Sequence, residues 1–214
     1  MGCANDSEKE KEKNKKKLTM STREVINPTT LKTKQEVKIV LLGEAGVGKS
    51  SLVNRYCKGT FSESYKITIG GAYLKKEIIL KNGNSLIFHF WDTGGQERFR
   101  SMASLYYKDA SAAILCFDVG DKKTLDALTF WIEELKEKGN PPFGFPLVFA
   151  IAGNKCDIDN NLKQVSFEDL KIFAQKQKID IFFETSAKGN IGIIELINSI
   201  ANKLYLLFDN IKMN

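Results

Sequence analysis

At 214 residues with a net charge of +6, the chain exceeds one typical domain and falls short of two, which predicts one domain plus an extension. Residues 1–35 hold nine Lys/Arg against five acids and so carry +4 of that charge, leaving no strongly basic domain face and excluding nucleic acid as an expected partner. Four widely spaced cysteines with a single histidine argue against a zinc site or disulfide framework, and no run of 18 apolar residues or apolar leader supports a membrane span or secretory signal.

Residues 1–35 read as a disordered basic extension, 36–208 as the folded domain and 209–214 as a short tail. Residues 5–17 contain nothing hydrophobic to bury. Ahead of them, Met1-Gly2-Cys3 offers Gly2 for N-myristoylation and Cys3 for palmitoylation, two acyl chains being needed for a stable anchor. Lys15-Lys16-Lys17 adds attraction to anionic lipid. The myristoylation pattern places Ser or Thr where this chain has Asp6, with a serine one residue later at Ser7. Asn27-Pro28 marks a turn in the linker.

From Glu36 onward strand and helix patterns alternate. Strands are expected near 36–42, 72–81, 85–91, 111–117, 146–152 and 179–184, and helices near 49–58, 97–108, 121–138, 166–178 and 190–207. Lys81-Asn82-Gly83-Asn84 joins the second and third strands as a hairpin turn, giving one antiparallel pair in a βαβ progression. Ser166, with Asp169 three residues on, reads as a helix N-cap. Ile193, Ile194, Ile197, Ile200, Ala201, Leu204 and Leu207 form an apolar stripe expected to pack in the core. The outcome is an α/β fold of six strands, mostly parallel with one antiparallel, flanked by about five helices; Gly43-Glu44-Ala45-Gly46-Val47-Gly48-Lys49-Ser50 after the first strand makes it the P-loop NTPase type.

Four loops carry chemistry. Gly43-Glu44-Ala45-Gly46-Val47-Gly48-Lys49-Ser50 fits G-x-x-x-x-G-K-[ST] between the strand Val37-Lys38-Ile39-Val40-Leu41-Leu42 and a helix, the context that motif requires. Its backbone N–H groups and the helix N-terminus suit a polyphosphate. Lys49 supplies charge for the β/γ-phosphates and the Ser50 hydroxyl a ligand for Mg²⁺. Next, Asp92-Thr93-Gly94-Gly95-Gln96 ends a strand: Asp92 can hold Mg²⁺ through water, Gly95 can offer its N–H to a γ-phosphate, and Gln96 can orient an attacking water. In Asn154-Lys155-Cys156-Asp157, the Asp157 carboxylate can pair with the N1–H and 2-amino donors of guanine, a pair adenine lacks. Asn154 and Lys155 brace that pocket. Thr185-Ser186-Ala187-Lys188 can then place a backbone N–H on the base oxygen.

In this order and spacing the four loops resemble the Ras-like small GTPases over about residues 36–207. The resemblance implies a G domain that binds GTP and GDP with Mg²⁺, held by Ser50, Thr68 and Asp92, with Gln96 and Lys49 in hydrolysis. It extends the nucleotide contacts to Ser51, Phe61, Tyr65, Ser186, Ala187 and Lys188. Thr68 matches the switch threonine, and Phe61, seven residues earlier, matches the aromatic that stacks on guanine. Ile69-Gly70-Gly71-Ala72-Tyr73 and Gln96-Glu97-Arg98-Phe99-Arg100-Ser101-Met102 resemble the Rab switch motifs, and Leu41-Leu42-Gly43-Glu44 with Lys49-Ser50-Ser51-Leu52-Val53 leans toward the early-endosomal Rab-five branch.

That kinship implies an exchange factor, an activating protein and effectors bound through residues 59–73 and 92–108, a monomer, and residence on the cytoplasmic face of endosomal, other vesicular or plasma membranes. The absence of cysteine in Asp209-Asn210-Ile211-Lys212-Met213-Asn214 speaks against prenylation and gives Gly2 and Cys3 the anchoring role. Gly94 stands where alanine is usual, loosening the backbone beside the γ-phosphate sensor. It keeps open the alternative of a GTP-locked effector-binding module with little hydrolysis; Asp157 argues against a P-loop kinase or ATPase. His89, Cys57 and Cys116 read as structural, and Phe130 with Trp131 as packing one helix face. Cys156 lies between nucleotide-facing neighbours, and the loop 139–146 either fills the sheet edge or meets a partner.

Overall fold

The computed structural model describes residues 34–64, 67–68, 70–95 and 105–212. Of the two units into which the chain divides, Met1–Lys32 and Thr33–Asn214, the described residues belong to the second. The N-terminal extension with Gly2 and Cys3 lies outside them.

The described elements are β1 (Lys34–Leu42), α1 (Lys49–Lys58), β2 (Gly71–Ile79), β3 (Ser85–Thr93), β4 (Ala112–Asp118), α2 (Lys122–Asp126), α3 (Leu128–Lys138), β5 (Val148–Asn154), α4 (Phe167–Gln177), β6 (Ile181–Glu184) and α5 (Ile193–Lys212). They form a six-stranded sheet of order β2-β3-β1-β4-β5-β6. β2 runs antiparallel to β3, and every other pairing is parallel. The reversal comes at the expected turn, where the Leu80 amide donates to Asn84 O at 2.8 Å and Gly83 takes φ 81, a left-handed value that suits glycine.

The central strands are continuous apolar runs because helices cover both faces. Along β1 the side chains alternate: Ile39 and Leu41 join one cluster with Leu52 of α1 and Ile197, Ile200 and Leu204 of α5, while Val40 and Leu42 join a second with Leu128, Trp131 and Leu170. The register sets Asp92 beside Leu41 and Asn154 beside Asp118. Because parallel strands end on the same edge, the loops after β1, β3, β5 and β6 converge there, at the point where the chain departs from β1 to opposite sides.

Four expectations change. The helix over 121–138 is two helices: Asp121 caps α2 by accepting from the Lys123 amide, Thr124 Oγ1 ties that turn to Asp121 O at 2.6 Å and accepts from the Asp118 amide at 3.0 Å, and α3 starts afresh at Leu128. Ile194 is 54 % exposed, whereas Ile193, Leu196, Ile197, Ile200 and Leu204 are buried. A 3.6-residue period carries Ile194 to the margin of the stripe and brings in Leu196. The rings of Phe130 and Trp131 pack edge-on with centroids 5.2 Å apart, but only Trp131 enters the core: it is buried, whereas Phe130 is 44 % exposed. Helix α5 also continues past the expected end to Lys212. Most of the helix expected over 97–108 lies outside the described residues; 105–107 are helical.

The Ser166 cap is a full capping box. Ser166 Oγ accepts from the Asp169 amide at 3.1 Å, and Asp169 Oδ2 accepts from the Ser166 amide at 2.9 Å. Ser166→Ala is expected to cost about 1 kcal/mol and to lower Tm by roughly 2–4 °C for a domain of this size. Thermal denaturation with saturating GDP checks this; an unchanged Tm would remove the cap from the stability of α4.

Candidate functional site

At the convergent edge lies a cleft of about 650 Å³. One end of it is the loop from β1 into α1. Gly48 takes φ 95 as the residue before α1, with no side-chain cap on the helix. A Cβ there would collide with Asn154 Nδ2, so only glycine lets the loop lie this close to β5. The first-turn amides of α1 are therefore not capped by a side chain and suit an anion. Ala45, Gly46 and Ser51 line this end.

Lys49 is 5 % exposed, and its Nζ donates to Gly43 O at 2.8 Å and Glu44 O at 2.9 Å. Burial pushes this ammonium below the ordinary lysine range, with Cys116, Asp92 and Glu44 opposing. Ser50 Oγ and Thr68 Oγ1 stand 2.8 Å apart in a hydrogen bond. Behind them Asp92 is 1 % exposed, and its Oδ1 has no hydrogen-bond partner among the described residues. Burial raises the Asp92 pKa, against the Ser50 hydroxyl and the Lys49 charge. A buried carboxylate oxygen left unpaired is costly, and this carboxylate lies against the Ser50 hydroxyl, which in turn bonds Thr68. The expected ligands Ser50, Thr68 and Asp92 are thus brought together. One carboxylate with two hydroxyls is a donor set that suits Mg²⁺, an ion that takes one or two carboxylates and completes its shell with water and phosphate oxygens.

The other end is built from the loops after β5 and β6. Asn154 Nδ2 donates to Val47 O at 2.9 Å, and its Oδ1 accepts from Thr185 Oγ1 and the Ala187 amide, each at 3.3 Å. One side chain thereby joins the loop after β1 to the loop after β6. Lys155, at φ 64, places its Nζ 2.5 Å from Asp118 Oδ2. Ser186 Oγ donates to Asp157 Oδ1 at 2.5 Å, fixing the carboxylate that the cleft presents. Phe61, Ala187 and Lys188 line the same end.

Gly95 also lines the cleft, and the Gly94 amide donates to Gly70 O at 2.9 Å, joining the segments before β2 and after β3. Gly43, Glu44, Val47 and Ser186 stand behind the cleft wall and hold the residues that form it, as does Asp92 through the Ser50 hydroxyl. Gln96 and Tyr65 lie outside the described residues. Sequence reasoning missed Asp118, whose pairing with Lys155 has no local signature, and Arg55, whose side chain reaches Ala187 O. Elsewhere, Cys116 is buried under the loop with its thiol pushed up to about 12 by burial. Burial also raises the Cys57 and Cys156 thiols. His89 Nδ1 lies 2.6 Å from the Tyr73 hydroxyl. Phe145 packs against α5, its ring 5.2 Å from that of Phe208.

The sequence pattern of the Ras family is matched by residues 38–206. The chain belongs to the Ras family. It is 38 % identical over 211 residues to Ras-related protein Rab-5B of Plasmodium falciparum (isolate 3D7), covering 99 % of this chain and 97 % of that one. It is 40 % identical over 167 residues both to Ras-related protein Rab5 of Nicotiana tabacum and to Ras-related protein RABF2a of Arabidopsis thaliana, in each case covering 78 % of this chain and 80 % of the relative. This Ras-family chain is a Rab5-like small GTPase, a GTP/GDP switch in endosomal membrane traffic that hydrolyses GTP to GDP and phosphate. Among its described residues no helix is long and apolar enough to cross a membrane.

Proposed function

We propose that the cleft holds guanine nucleotide with its base against Asp157 and residues 185–188 and its phosphates on residues 43–50, and that Gln96 and Lys49 act in hydrolysis. The observation that carries this reading is the buried Asp92 carboxylate, its Oδ1 unpaired, against a Ser50 hydroxyl that itself bonds Thr68. Ras-family GTPases bind GTP or GDP together with Mg²⁺, and Ser50, Thr68 and Asp92 fit that ion. When bound, it would neutralise charge on the β- and γ-phosphate oxygens.

The chain's own residues do the rest. Lys49 exchanges its bonds to Gly43 O and Glu44 O for phosphate oxygens and follows the negative charge as it develops. The Gly95 amide faces the γ-phosphate. Gln96 orients the water for in-line attack, and an activating protein supplies further positive charge. Residues 59–73 and 92–108 take up the GTP-dependent conformation that effectors bind. The GTPase works as a monomer, with its N-terminus acylated at Gly2 and Cys3 to hold it at the cytoplasmic face of endosomal membranes.

Asp92→Asn is expected to weaken Mg²⁺ binding by roughly 10–100-fold, read as the Mg²⁺ concentration that slows release of fluorescent GDP. A release curve superimposable on wild type would take Asp92 out of the metal site. For the anchor, Gly2→Ala and wild type are compared in cells, both carrying Gln96→Leu to hold the GTP-like state. Wild type should sediment with membranes while Gly2→Ala turns soluble; equal partition would sink the acylation reading.

A further inference from the structure

Arg55 lies on the last turn of α1, away from the motifs that name the site, yet its side chain reaches three separate carbonyls. Nε donates to Ala187 O at 2.7 Å, one terminal nitrogen to Gly59 O at 2.8 Å, and the other to Lys188 O at 3.3 Å. The guanidinium carbon also lies 5.8 Å from the centre of the Phe61 ring. Among the described residues Arg55 forms no ion pair, so its partners are backbone carbonyls and a ring. That pattern serves geometry, because the rigid fork of an arginine fixes several acceptors at once where a lysine would satisfy one.

The acceptors share a location. Ala187 and Lys188 belong to the loop on the base end of the cleft. Gly59 closes α1 at φ 70, its own amide donating to Arg55 O at 3.0 Å, and the chain leaves it for Thr60 and Phe61. The Lys188 ammonium, in turn, lies 2.9 Å from Glu63. Arg55 therefore clamps the loop beneath the base to the segment carrying the aromatic above it.

We infer that Arg55 is a positioning residue for guanine: it sets the spacing between residues 185–188 and Phe61, so that the loop amide and the ring meet the base together. The inference rests on the proposed placement of a loop amide on the base oxygen. The test uses the full chain with two probes, GDP and 6-thio-GDP. The second keeps the N1–H and 2-amino donors for Asp157 and replaces only the base oxygen with a poorer acceptor.

Wild type should release 6-thio-GDP about tenfold faster than GDP, the value of one hydrogen bond. Arg55→Ala should release GDP about tenfold faster than wild type, and its penalty for sulfur should shrink to about twofold, because a loop amide no longer held in place loses little when its acceptor is weakened. Arg55→Lys should resemble Arg55→Ala despite retaining the charge, and it carries the comparison alone if Arg55→Ala does not fold. A sulfur penalty equal in wild type and variants overturns the positioning role and leaves the site reading standing. A wild type indifferent to sulfur overturns the site reading, and the inference with it.

Discussion

Asp157→Asn is expected to lower affinity for GDP by about 10³-fold and to raise affinity for XDP above that for GDP. The guanine edge presents two donors, and a carboxylate accepts both; an asparagine keeps one acceptor and turns an NH₂ donor toward the other. A site whose buried polar groups lose their complement discriminates by several powers of ten. Xanthine replaces the 2-amino group by a carbonyl, the partner an asparagine NH₂ needs. The orientation should persist, because Ser186 Oγ donates to Oδ1, the acceptor that asparagine keeps. Competition of GDP, XDP and ADP against a fluorescent guanine nucleotide measures all three preferences. GDP affinity within threefold of wild type would remove Asp157 from the base.

Gly95→Ala should separate hydrolysis from binding. A Cβ at Gly95 would stand 2.6 Å from the Glu44 carbonyl and collide with the Lys49 ammonium. The carbonyl is backbone and cannot swing aside, so the segment after β3 must withdraw from the phosphate loop, taking the Gly95 amide and the start of the Gln96 segment with it. Losing one such donor to developing charge is worth roughly 10²–10³-fold in rate, and single-turnover phosphate release should fall accordingly. GDP has no γ-phosphate for that amide, so its affinity should stay within about threefold, as expected when an interaction belongs to the transition state. A hydrolysis rate within twofold of wild type would show that Gly95 makes no such approach.

The fold was legible because strand and helix periods are local. The apolar run of β1, the hairpin turn around Gly83 and the Ser166 cap each depend on a few adjacent residues. Ile194 and Phe130 misled for a related reason: composition shows that a residue is apolar, and only the rotation of the helix against the sheet shows whether it is covered. The split of the helix at Ala127 depends on Thr124 bonding back to the end of β4, which no helical period records.

The candidate site divides along the same line. Sequence by itself determined the Ras-like α/β fold and the motif loops that meet at the cleft, since each motif follows a strand and parallel strands deliver their ends to one edge. Tertiary structure alone decided which residues hold those loops in place: Asn154 joining Val47 to Ala187, Asp118 gripping Lys155, and Arg55 spanning Gly59, Ala187 and Lys188. Each contact joins segments far apart in the chain or a side chain to a carbonyl. Carbonyls are the same at every residue, so only the folded path of the backbone selects which one a donor meets.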